Sequence, residues 1–171
     1  MEAYNKKFTL CIHPFVVPAY VIAAAGETYS ASISGSNITV PVPWDAASLA
    51  AYDAFIHALS VYEVGGVDLN LRPELVGIRA GLFSSKGLDD DGGRLVALGS
   101  YTRANYITNG IIPAIHSITD HFPNIPVFIE TDPMTDATAS PRLDQAIIAA
   151  IAAEFDGVLN PQAGLFIESL K

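Results

Sequence analysis

Proline and glycine cut the apolar stretches of this chain short, and that punctuation limits what it can fold into. His13, Pro14 and Pro18 interrupt the first apolar region, Pro41 and Pro43 the second, and Gly65-Gly66 the third; Pro113 and Pro123 fall inside and after a later one. No run reaches the roughly 18 uncharged apolar residues that a transmembrane helix needs. What remains are segments of strand length and of helix length, without strict strand–helix–strand alternation. Such a chain is expected to be α+β: a mainly antiparallel or mixed sheet with about three main helices packed on it, a single layer pair. At 171 residues it is expected to form one globular domain over 1–171.

The segments follow from period and punctuation. Phe8 to His13 reads as a strand and Ala19 to Ala25 as a short helix. "TYSASIS" and "NITVPVP" read as a hairpin whose second strand ends at its prolines. Asp45 is a good N-cap for a helix running to about Tyr62, with Trp44 before it as a staple and Gly65-Gly66 as its stop. Leu49, Tyr52, Phe55, Ile56, Leu59 and Tyr62 form its apolar stripe. Val76 to Ser84 and Arg94 to Leu98 read as strands joined by "GLDDDGG". Thr102 to Phe122 is helical in character, with a kink expected at Gly110 and Pro113. "IPVFIETD" reads as a central strand buried on both faces. Ser140 and Pro141 open a helix to Phe155, and "GVLN" and "GLFIES" close the chain as a hairpin.

Charge excludes several functions. With 18 acidic against 9 basic residues, the net charge of −9 opposes binding to nucleic acid or to an anionic membrane surface. The charged fraction is 16%, below the usual figure of about 25%, so some apolar surface is expected to meet another chain. The single cysteine, Cys11, lies in "FTLCIH" and reads as a buried, inert thiol, compatible with a reducing, cytoplasmic location. Lys6-Lys7, the apolar run after them and Ala23-Ala24-Ala25 mimic a secretory signal at residues 1–25. His13, Pro14 and Pro18 within the run favour structural elements over that signal.

Candidate chemistry is sparse. "AIHSITDHFP" places His116 and His121 five residues apart. On a helix with Ile111 at zero, Ile115, Ile118 and Phe122 lie within about 40° of the core direction; His116 lies near 140° and His121 near −80°. The two histidines therefore cannot share one metal, and His116 is expected to touch Asp120 at i+4 on an outer face. Asp53 and His57 repeat that spacing, also facing outward, and nothing in the sequence brings the two helices together. The run Asp89-Asp90-Asp91 fails the calcium-loop pattern of alternating acids. Glu130 and Asp132, two apart at a strand end and followed by Asp136, are the best hint of acid–base chemistry. No metal site and no cofactor-binding motif is present.

The outer sides of two helices carry alanine where charge is normal: Ala50, Ala54 and Ala58 on the first, and Ala149, Ala152 and Ala153 on the last. They read as a second packing surface, for another helix of the chain or for another subunit. The expected function is a non-catalytic protein–protein interaction domain. It is either a self-assembling subunit, hence a homo-oligomer, or an acidic immunity- or inhibitor-type binder of a basic protein partner. The alternative is a small hydrolase-like enzyme or ligand-binding protein using Glu130 and Asp132, with His116 or His57.

Overall fold

In chain order the elements are β1 (Phe8–Ile12), α1 (Ala19–Ala24), β2 (Thr28–Ile33), β3 (Ser36–Pro41), α2 (Ala46–Ser60), β4 (Glu63–Val64) and β5 (Val67–Asp68). After a 3-10 turn at Leu69–Leu71 come β6 (Leu75–Phe83), α3 (Gly92–Val96), α4 (Arg103–Tyr106), a π turn at Ile107–Ile111 and α5 (Ile112–His121). β7 (Val127–Thr131), α6 (Leu143–Glu154) and β8 (Ala163–Ile167) complete the set. This computed structural model describes residues 6–12, 17–33, 36–83, 92–131, 136, 140–155 and 163–167. The "LDDD" run and residues 157–160 of the expected closing hairpin lie outside the described residues.

The fold is α+β, with both parallel and antiparallel pairing. The parallel part is one four-stranded sheet of order β1-β6-β7-β8. The antiparallel part is two ribbons, β2–β3 and β4–β5. Parallel neighbours need a crossover, and helices fill each one. Because strand order follows chain order, right-handed crossovers place those helices on the same side of the sheet. Ile12, Ile78, Ala80, Val127 and Ile129 face that side and join one apolar cluster with Ile56 of α2, Ile115 and Ile118 of α5, and Leu143, Ile147 and Ile151 of α6.

Local chemistry explains the helix starts. The Asp45 carboxylate accepts from the Ser48 N–H at 2.8 Å and caps α2; its other oxygen accepts from the Gly26 N–H at 2.8 Å, tying the turn after α1 to the same point. Thr102 caps α4 by accepting from the Asn105 N–H at 2.9 Å. The kink expected around Gly110 and Pro113 takes the form of the π turn. Gly110 is required there, since a Cβ on it would stand 3.0 Å from the Pro43 carbonyl oxygen and 3.1 Å from its carbon.

Several expectations are corrected. Arg94 to Leu98 is not a strand: Gly92–Val96 is helical, Leu95 is buried, and Arg94 reaches back to the Ser30 carbonyl at 3.0 Å and the Asn37 side chain at 2.9 Å on the β2–β3 ribbon. The four-residue apolar run Leu95–Leu98 fits either period, and packing against the ribbon decides it. β8 pairs in parallel with β7, while residues 157–160, its expected hairpin partner, lie outside the described residues. Gly65 and Gly66, at φ 64° and 80°, turn the β4–β5 ribbon, while α2 already ends at Ser60. The last helix starts at Leu143 rather than at Pro141, and the Arg142 N–H donates to the Gln145 side chain at 3.0 Å.

Candidate functional site

β7 is central, as expected, yet it is not buried on both faces. Val127 and Ile129 are buried, whereas Phe128 between them is 40% exposed. The register places Cys11, Arg79, Phe128 and Gly164 side by side across the four strands. Of these, Cys11 and Phe128 are exposed and Arg79 half-buried; Thr9, one alternation back on β1, is exposed too. The Phe128 ring rests against Gly77, where a Cβ would come within 3.0 Å of it. One face of a parallel sheet thus carries the helices and the other meets solvent. The expectation of a buried Cys11 is overturned for the same reason: on this edge strand Ile12 points to the core and Cys11 away from it.

The strand-end carboxylates do not gather into an acid–base pair that the structure describes. Glu130 occupies the register position opposite Phe166, and Asp132 lies outside the described residues. The described carboxylate of that segment is Asp136. It accepts from the Tyr101 hydroxyl at 2.7 Å, from Arg103 Nε at 2.7 Å and from Arg103 Nη2 at 2.6 Å, and its side chain is 2% exposed. Burial, and then the hydrogen bond to Asp136, pushes the Tyr101 phenol well above its usual range. This clamp pins the chain after β7 to the start of α4. A carboxylate held by a bidentate guanidinium is a structural anchor, poorly suited to take a proton.

The histidines separate into two places. His116 Nε2 lies 2.8 Å from Glu154 of α6, with its ring 4.8 Å from that of Phe155; its partner is across helices rather than Asp120 on its own. His121 Nε2 lies 3.2 Å from Asp53, and its ring centroid is 4.9 Å from that of His57. The packing of α2 on α5 therefore brings Asp53, His57 and His121 together, a meeting that no pattern along the chain announces. Among the described residues no His, Cys, Asp or Glu group has the arrangement of a metal site. These pairs are partly exposed, and such ion pairs contribute at most about 1 kcal/mol.

The alanines of both helices are exposed: Ala50, Ala54 and Ala58 on α2, and Ala149, Ala152 and Ala153 on α6. Another helix of the same chain does not cover them. Among the described residues no helix is long and apolar enough to cross a membrane. Comparison with protein-family models, with curated proteins and with solved structures finds no match for this chain.

Phe128 and the Tyr101–Arg103–Asp136 clamp were not singled out from the sequence. For Phe128 a signal was present: Gly77, Arg79 and Gly81 alternate with Ile78 and Ala80 on the neighbouring strand, a period-two pattern of one-sided burial. For the clamp there was none, since its partners are 33 and 35 residues apart.

Proposed function

We propose that this protein is a non-catalytic interaction domain that works by burying the uncovered face of its parallel sheet against a second copy of itself. The observation that carries the reading is the exposure of Phe128 at the centre of that face. Parallel sheets occur almost only with both faces covered. Leaving one open costs backbone shielding and leaves apolar area in water, and a facing sheet about 10 Å away removes both deficits.

Charge favours a second copy over a basic protein. Thr9, Cys11 and Phe128 carry no charge, and Arg79, half-buried between Cys11 and Phe128, brings a positive charge that disfavours a basic partner. The net charge of −9 is not drawn from these residues and does not oppose stacking of two such faces. The exposed alanines on α2 and α6 lie on helices and are available for further contacts.

Hydroxyl-radical footprinting at rising protein concentration tests this. Phe128 should become protected as concentration rises, while Tyr62 and Leu71, exposed on and beside the β4–β5 ribbon, keep a constant rate. Equal reactivity of Phe128 at all concentrations refutes the proposal.

A further inference from the structure

A second feature lies away from the open face. β1, α1 and α2 enclose a cleft of about 490 Å³. Ile12 comes from β1, Val21 from α1, and Ala51, Tyr52, Phe55 and Leu59 from α2. Its volume falls within the roughly 300–1,000 Å³ of small-molecule pockets. At its mouth Tyr20 is 72% exposed and Phe55 54% exposed, so two aromatic rings stand in water there.

The lining decides the chemistry of the occupant. None of the described lining residues is charged. A charged group entering would lose its hydration with nothing to replace it. The Tyr52 hydroxyl has no accessible surface, so it offers the cleft no donor.

We infer that this cleft binds an uncharged, largely apolar small molecule, such as a medium-length hydrocarbon chain bearing at most a neutral ketone or ester.

The test uses the full chain and the neutral fluorophore N-phenyl-1-naphthylamine, displaced by 2-decanone or by decanoate. The probe should bind saturably with a dissociation constant below about 200 µM, the range set by ordinary ligand efficiency for its size. 2-Decanone should displace it at least about tenfold more effectively than decanoate, because the lining offers no counter-charge. Ala51→Trp should abolish probe binding by filling the cleft. Absence of saturable probe binding, equal displacement by decanoate, or probe binding unaltered in Ala51→Trp each overturns the inference.

Discussion

Replacing Asp136 by alanine is expected to be among the most damaging single changes away from the apolar cluster. The carboxylate is 2% exposed and takes hydrogen bonds from Tyr101 and, twice, from Arg103. Removing one partner of a buried ion pair costs about 3–5 kcal/mol, because the remaining charge is stranded. Here the Arg103 side chain is 21% exposed, so water recovers part of its hydration. That discount brings the expected loss to about 2–4 kcal/mol. For a chain of this length the melting temperature should fall by roughly 5–15 °C. Asp136→Asn keeps an acceptor and most of the shape but loses the charge, and should fall between wild type and Asp136→Ala. Urea unfolding followed by tryptophan fluorescence suits the case, since Trp44 is the only tryptophan and its ring centroid lies 6.1 Å from that of Tyr101. A loss below about 1 kcal/mol for Asp136→Ala, the level of an exposed pair, would refute the reasoning.

Gly110→Ala should destabilise by about 1–3 kcal/mol, because the new methyl meets the Pro43 backbone at 3.0 Å; Gly99→Ala, with nothing within 4 Å, should be neutral or slightly stabilising, and thermal melts of the pair distinguish them. Tyr52→Phe without ligand should leave stability unchanged or raise it by up to about 2 kcal/mol, since it removes an unpartnered buried hydroxyl; a clear loss in calorimetry would mean that the hydroxyl has a partner. Burial, the largest cause for each, raises the phenols of Tyr52, Tyr101 and Tyr106. Their neutral forms are favoured in the folded state, so their contribution is complete below the usual tyrosine value of about 10 and is lost as pH climbs beyond it. Tyrosinate absorbance near 295 nm should therefore show a fraction of tyrosines ionising together with unfolding; full ionisation near pH 10 with the fold intact would contradict this.

What was legible in the sequence was whatever depends on neighbours along the chain. The cap at Asp45, the β2–β3 hairpin and the distortion around Gly110 and Pro113 each follow from a few adjacent residues, and each is present. What was not legible depends on which elements meet. "RLVAL" is compatible with strand or helix until the β2–β3 ribbon offers Arg94 its acceptors. "VFI" reads as burial on two sides, although the sheet has helices on only one. Asp53 and His57 acquire His121 as a neighbour only through the packing of α2 on α5. The cleft has the same origin. Tyr52, Phe55 and Leu59 were read as a core stripe; Tyr52 and Leu59 do pack against the core, but Phe55 is exposed, because at β1 and α1 the stripe is wider than the surface available to cover it.

The central claim is that the open sheet face is completed by a second chain. Molar mass by light scattering, taken across low to high micromolar concentration for wild type and Phe128→Asp, tests it most directly. Wild type should approach twice the chain mass of 18.1 kDa at the high end, and Phe128→Asp should stay at 18.1 kDa throughout with its secondary structure intact. A wild-type protein that remains at the single-chain mass across the whole range, or a dimer that Phe128→Asp leaves unaltered, would contradict it.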